Sequence, residues 1–153
     1  MNEMCEVARA TVDTDAELSQ RIALHESRGM STSMLRDADL IITASRAERA
    51  AAARMSPDVR VRAFTLKEAV SLSSLRALPS ASSLADVSAE LNSRRGLAVV
   101  ADDATTGRWP RRHVHPLDVP DDHGARAGRH VATLRSVKQL IGELYAAVES
   151  AMD

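Results

Sequence analysis

The chain is poor in cysteine and in aromatic residues. It contains one cysteine, Cys5, and aromatic residues make up 2% of its 153 residues. A single cysteine excludes an internal disulfide and favours a reducing, cytoplasmic location. So few aromatic rings offer little surface on which bases or sugars can stack. They also mean that the core has to be mainly aliphatic. The formal net charge of -1 excludes a generally basic surface, and we therefore expect no nucleic-acid partner.

The sequence also shows no pattern typical of a signal peptide or of a membrane-spanning segment. The first residues carry the charges of Glu3, Glu6 and Arg9 and no apolar run, so they do not predict a signal peptide. No stretch approaches the roughly 20 apolar residues of a membrane span, and we expect no membrane partner. No glycine-rich nucleotide loop is present, and no cofactor is expected. The composition is 44% hydrophobic and 27% charged, which is typical of one globular domain over residues 1–153.

Strand and helix patterns alternate in the first half of the chain. Leu40–Thr43 is a short β-branched run bounded by polar residues, and Val59–Phe64 alternates between apolar and polar side chains. Ser45 is a helix cap followed by an acidic first turn, and Thr65 with Glu68 forms a capping box. A further helix is predicted over 13–28. Strand, helix, strand, helix predicts an α/β unit with a parallel sheet.

The pattern weakens at about residues 73–116, which we interpret as a loop-rich insertion. A helix is predicted from Leu84 to Arg95 and ends at Gly96, while Leu97–Val100 fits either a helix continuation or a short strand. The last helix is predicted over 127–151. Its apolar residues fall on one stripe: Val131, Leu134, Val137, Leu140, Ile141, Leu144 and Val148.

Three segments, Ala38–Thr43, Arg62–Glu68 and Asp118–Gly124, follow one another in an order and spacing that resembles the low-molecular-weight protein tyrosine phosphatases. The first is similar to the family's third strand and the second to its next strand and helix start. The third reads Asp-Val-Pro-Asp-Asp-His-Gly and resembles the family's acid loop, usually Asp-Ile/Val-Pro-Asp-Pro-Phe/Tyr-Gly. The resemblance covers roughly residues 17–72 and 117–153. It implies a three-layer α/β/α fold with a small parallel sheet, of the phosphotyrosine protein phosphatase I type.

The resemblance also implies a site. In the family a cysteine thiolate at the end of the first strand attacks the phosphate, and an acid-loop aspartate protonates the leaving phenolate. By position Asp121 is that general acid, and His123 replaces the aromatic residue that lines the substrate site. Phosphoproteins or aryl phosphates are the implied substrates.

The family's nucleophile signature, Cys-x5-Arg-Ser, does not occur in these residues. Arg9 follows Cys5 by four positions rather than six, and no apolar strand precedes Cys5. The first strand and its phosphate loop are therefore expected to be missing, through truncation or degeneration, and Asp121 is expected to be an acid without a nucleophile. We expect the chain as given to be an inactive, phosphatase-like pseudoenzyme.

Other functions are weighed against this one. A non-enzymatic interaction or regulatory module could use the same scaffold and bind through the strand edge near Leu40–Thr43, which a homo-oligomer would also cover. Arsenate reduction needs several cysteines and is disfavoured. His113 and His115 near Asp118 lack a third ligand at a diagnostic spacing, so no metal site is expected. Arg108, Arg111 and Arg112 beside Trp109 are interpreted as a solvated loop.

Overall fold

The computed structural model describes residues 28–97, 114–122 and 127–153. They belong to two compact units: the larger is Met30–Val119 with Leu140–Asp153, and the described residues of the smaller fall within Met1–Gly29 and Pro120–Gln139. The predicted helix over 13–28, the segment 98–113 and His123 lie, apart from Arg28, outside the described residues.

Five α-helices and two strands are present in the described residues, along with one short 3-10 helix at Pro57–Val61. In chain order the α-helices and strands are α1 (Thr32–Asp37), β1 (Ile41–Thr43), α2 (Arg46–Met55), β2 (Ala63–Thr65), α3 (Leu66–Ser74), α4 (Leu84–Ser93) and α5 (Ala127–Met152). The protein is thus mixed α/β with a small sheet, as the sequence predicts.

The two strands pair in parallel. Ile41 lies opposite Ala63, Ile42 opposite Phe64 and Thr43 opposite Thr65. The hydroxyl of Thr43 donates to the carbonyl oxygen of Phe64 at 3.2 Å, which adds a side-chain bond to the ladder. Since α2 lies between the strands in sequence, it forms the crossover that a parallel pair requires. The predicted parallel arrangement is confirmed.

The second strand begins later than predicted. Residues 57–61 form the 3-10 helix, and the strand is Ala63–Thr65 rather than Val59–Phe64. Pro57 stands at the start of this helix, where its fixed φ favours a turn. Val59 is fully buried while Val61 is 55% exposed, so two residues predicted to share one face of a strand do not. The alternation at 59–62 therefore reflects a helical turn.

Capping boxes begin both helices next to the sheet. The Ser45 hydroxyl accepts the backbone N–H of Glu48 at 3.3 Å, and the Glu48 carboxylate accepts that of Ser45 at 3.0 Å. Thr65 and Glu68 make the same reciprocal pair, each bond at 3.2 Å. Each box satisfies N–H groups that the first turn of a helix leaves without a partner. The caps predicted at Ser45 and Thr65 are confirmed.

The core of the larger unit is formed mainly by aliphatic side chains from the 3-10 helix, β2, α3 and α4. Its most buried apolar members are Val59, Phe64, Leu72, Val87 and Leu91. The end of α5 joins this unit, where Ala151 accepts the backbone N–H of Ala81 at 2.7 Å and Leu144 is buried. Ile141 is 53% exposed, so it does not share the burial predicted for the α5 stripe.

α4 ends at Ser93 rather than at the predicted Arg95, and the turn that follows it closes at Gly96. The φ of Gly96, 87°, lies in the left-handed region, where glycine carries no Cβ penalty. In the described parts of the chain, no helix is both long enough and apolar enough to cross a bilayer.

Candidate functional site

The segment before Asp121 is bound at the carboxyl end of β1. The backbone N–H of Val119 donates to the carbonyl oxygen of Ala44 at 2.8 Å, immediately after the strand. A turn precedes this bond, because the N–H of Asp118 donates to the carbonyl oxygen of His115 at 2.8 Å. The carboxyl ends of parallel strands are where α/β proteins place their ligand sites.

The Asp118 carboxylate caps the start of α2 from a distant part of the sequence. Its Oδ1 accepts the backbone N–H of Arg46 at 2.9 Å and the guanidinium Nε of the same residue at 3.3 Å. A carboxylate at this position is favoured by the partial positive charge of a helix N-terminus. The acid segment is thus attached to α2 by charge-assisted bonds as well as by the backbone.

These contacts fix the ionisation of Asp118. Burial tends to raise the pKa of its carboxyl group, but the two hydrogen bonds from Arg46 and the charge of its guanidinium hold that pKa below its ordinary value. An acid with a lowered pKa is ionised at neutral pH and has no proton to donate. Asp118 therefore has a structural role and is unsuited to general acid catalysis.

The residues after Val119 belong to the smaller unit. Asp121, the predicted general acid, is exposed. Asp122 is half-buried, and its carboxylate accepts the hydroxyl of Thr133 on α5 at 2.6 Å. Asp122, which stands where the phosphatase family has a proline, therefore connects this segment to α5. His123 and Cys5 lie outside the described residues.

A second feature, which we call the arginine groove, is a depression of about 680 Å³ beside α2. Six charged side chains line it: Arg46, Arg49, Arg54, Arg60, Arg95 and Glu68. Small residues fill the rest of its lining, including Ala50 and Ala53. Five cations and one carboxylate give it a strongly positive lining, although the net charge of the chain is -1.

Glu68 holds two of these arginines in place. One of its carboxylate oxygens pairs with Arg49, and the other accepts the Arg95 Nε at 3.2 Å. Arg95 also donates to the carbonyl oxygens of Arg60 and Ala63 and lies 4.2 Å from the centre of the Phe64 ring. Burial lowers the pKa of Arg95, the charge of Glu68 opposes this, and the nearby cations Arg49 and Arg60 reinforce it. Glu68 therefore holds the guanidiniums of Arg49 and Arg95 in position, although their positive charges repel each other.

A smaller cavity of about 360 Å³ lies between α1 and α4, with Asp39, Arg62, Ser88 and Asn92 in its lining. The hydroxyl of Ser88 donates to the carbonyl oxygen of Asp39, which joins α4 to the segment before β1. Arg62 is bound to the Asp58 carboxylate at 2.8 Å and to the carbonyl oxygen of Leu35 at 3.3 Å. Since its polar groups mostly serve local structure, this cavity is a weaker candidate site.

No group of histidine, cysteine, aspartate and glutamate side chains suited to a metal ion occurs in residues 28–97, 114–122 and 127–153. His115 accepts the backbone N–H of Leu117 through Nδ1 at 3.2 Å, so that nitrogen is used within the turn. His113, Arg108, Arg111, Arg112 and Trp109 lie outside the described residues.

Sequence reasoning did not find the arginine groove. Arg46 and Arg49 are three residues apart, which is the spacing of neighbours on a helix surface, and this pair was an available signal. Arg60, Glu68 and Arg95 come from three other segments, and only the fold brings them to α2.

Comparisons with known proteins add no relative. We found no match between this chain and any protein-family model, curated protein or solved structure.

Proposed function

We propose that this chain has the scaffold of a low-molecular-weight protein tyrosine phosphatase and supplies its acid loop without its nucleophile. The family's reaction is hydrolysis of phosphotyrosine or aryl phosphate through a phosphocysteine. On this proposal Asp121 is the general acid, His123 lines the substrate site, and the chain as given is inactive.

One observation carries the proposal: the segment ending at Val119 is bound where β1 ends and α2 begins. The Val119–Ala44 backbone bond and the Asp118–Arg46 contacts make this attachment. A parallel pair of strands joined by a helix, with the Asp121 segment following residues held at the carboxyl end of β1, agrees with the arrangement that the resemblance implies. Asp121 is the second residue after Val119 in the chain.

The choice of acid also rests on ionisation. The general acid has to be protonated when the phenolate leaves, so a carboxylate held ionised by an arginine cannot serve. Asp118 is held in that way, which disfavours it as the acid. The assignment of Asp121 rests on its position in the segment that resembles the family's acid loop.

The expected lack of activity follows from the missing nucleophile. An aspartate can protonate a leaving group but cannot replace a thiolate and a phosphate-binding loop. Thr11 stands six residues after Cys5, where the signature requires arginine. Cys5 therefore does not stand in the Cys-x5-Arg signature of the family's phosphate loop.

A non-enzymatic binding module is the second candidate function. The arginine groove favours it, because a strongly positive lining on a chain of net charge -1 is suited to an anionic partner.

A chimera tests the proposal. A family member's first strand, Cys-x5-Arg-Ser loop and first helix are joined ahead of residue 28, and hydrolysis of para-nitrophenyl phosphate is measured. We expect turnover from the chimera and none from the chain as given. The control chimera has serine in place of the signature cysteine and should be inactive. A chimera that unfolds cooperatively but has no activity would contradict the proposal.

A further inference from the structure

The arginine groove has a charge density that its own fold does not require. Glu68 balances one of its five arginines in formal charge and Asp118 pairs with Arg46, which leaves three arginines without a balancing carboxylate. In the described parts of the chain, the guanidiniums of Arg54 and Arg60 have no acidic partner, and both residues are exposed. Like charges brought this close repel each other, so an anion bound between them would be stabilising.

Part of the groove is already organised for binding. Arg49 is fixed by one oxygen of Glu68. Most N–H groups of Arg95 are already used on Glu68, on Asn92 and on two carbonyl oxygens, so Arg95 contributes its charge rather than hydrogen bonds. Binding to fixed guanidiniums loses less side-chain entropy than binding to free ones. Arginine is also the side chain that binds phosphate oxygens through two parallel N–H bonds.

The shape of the groove indicates an elongated ligand. Arg46 and Arg54 are eight residues apart on α2, which corresponds to about 12 Å along the helix axis. Arg49 lies between them, while Ala50 and Ala53 keep the surface between the cations low. A single phosphate would meet only part of this row, whereas a chain of phosphates would meet most of it.

The lining of the groove contains no aromatic side chain. Proteins that bind single-stranded nucleic acid without reading its sequence combine a basic groove with rings on which the bases stack. The groove has positive charges but no aromatic rings in its lining. We therefore expect it to recognise the phosphate groups of a ligand rather than its bases.

We propose that the arginine groove binds a small linear anion that carries several adjacent phosphate groups. The inference does not depend on the phosphatase-like function.

Calorimetric titration with sodium tripolyphosphate, pyrophosphate and orthophosphate tests the proposal. We expect affinity to rise with the number of phosphate groups, and to fall steeply as salt is raised, because the contacts are ionic. The absence of tripolyphosphate binding at low salt, or equal binding of all three anions, would overturn the proposal.

Two variants on α2 separate the groove from general electrostatics. Ala50→Glu places a carboxylate in the lining, while Ala47→Glu makes the same charge change on the same helix outside it. We expect Ala50→Glu to weaken tripolyphosphate binding by about tenfold or more. Ala47→Glu should weaken it by about twofold. Equal losses would show that the anion responds to net charge alone and would contradict the assigned site.

Removal of cations gives an independent test. The double variant Arg54→Gln with Arg60→Gln removes two exposed guanidiniums that carry no acidic partner, so folding should be unaffected. We expect at least about tenfold weaker binding. The charge-matched control Arg129→Gln with Arg135→Gln, on exposed positions of α5, should retain binding.

A single-stranded RNA oligonucleotide of equal charge serves as the competing ligand. We expect it to bind more weakly than tripolyphosphate, because the groove has no rings for its bases. Tighter binding of the RNA, lost in the same arginine variants, would replace the small anion with a nucleic acid and contradict the proposal.

Discussion

The carboxylate of Asp118 accepts the backbone N–H of Arg46 at 2.9 Å, although the two residues are 72 positions apart. The same oxygen accepts the Arg46 guanidinium Nε at 3.3 Å. One side chain therefore caps α2, pairs with its first residue and attaches the segment before Asp121 to that helix. This contact links the folding of that segment to the helix that also lines the arginine groove.

Asp118→Asn should destabilise the larger unit. The Asp118 side chain is 20% exposed and that of Arg46 is 44% exposed, so solvent screens the pair. We expect a loss of about 1 kcal/mol in the free energy of unfolding, typical of a helix cap or a half-exposed pair. Urea unfolding at neutral pH measures it, and Asp37→Asn, at an exposed position of α1, is the control. A loss no larger than that of Asp37→Asn would contradict the role of Asp118.

The same contact predicts a dependence on pH. The pKa of Asp118 is lowered in the folded state, so its contribution to stability is present above the unfolded value of about 3.9. It is lost as pH falls through the lower pKa of the folded state. In Asp118→Asn the fall in stability on the acid side should therefore be shallower. Parallel acid-side slopes for the variant and the parent, measured by urea unfolding at a series of pH values, would refute this.

Arg94 provides a prediction about a buried cation. Its side chain is 2% exposed, and its guanidinium pairs with Glu90 at 2.8 Å. The guanidinium also donates to three carbonyl oxygens, those of Leu72 at 3.0 Å, Arg76 at 2.8 Å and Ala77 at 3.0 Å. These bonds fix the chain that leaves α3. Lysine cannot reproduce a planar group with five donors.

Arg94→Lys should therefore cost about 3 kcal/mol in unfolding free energy, the scale of a disrupted buried charge network. The matched control is Arg76→Lys, where the side chain is 73% exposed and the change should be small. Chemical denaturation of both variants measures the difference. Similar stabilities would show that the carbonyl contacts contribute little.

Glu68→Gln should lower the free energy of unfolding and raise the affinity for tripolyphosphate. The amide can still accept the backbone N–H of Thr65, so the cap of α3 is kept, but the ionic pairing with Arg49 and Arg95 is lost. We expect a loss of about 2–3 kcal/mol in stability, below the range for a fully buried pair because both arginines are partly exposed. If the variant remains folded, its affinity for tripolyphosphate should rise, because the groove loses its only carboxylate. A weaker affinity would indicate that orientation by Glu68 matters more than its charge.

Local patterns carried much of the fold prediction. Ser45 and Thr65 are caps because each is followed by glutamate at the third helical position, which depends on four consecutive residues. The start of β2 could not be found in this way. An alternation over Val59–Phe64 fits a strand as well as a turn, and Pro57 decides for the turn.

Contacts between residues that are far apart in the sequence could not be predicted. Arg94 is one of 18 arginines in the sequence, and nothing in its neighbourhood indicates that three carbonyl groups from the α3 end surround it. The pairing of Asp118 with Arg46 likewise spans 72 residues. Both depend on how elements pack, which propensity and periodicity do not determine.

The central claim is that Asp121 is the general acid of a phosphatase scaffold, and the chimera carrying a Cys-x5-Arg-Ser loop tests it. Asp121→Asn should lower turnover by about 10²–10⁴-fold for an aryl phosphate with a poor leaving group. The loss should shrink for an activated phenol, which needs little protonation. Asp118→Asn, compared at a temperature where both variants are folded, should have the smaller effect. Equal losses from Asp121→Asn on both substrates, or a larger loss from Asp118→Asn, would contradict the account.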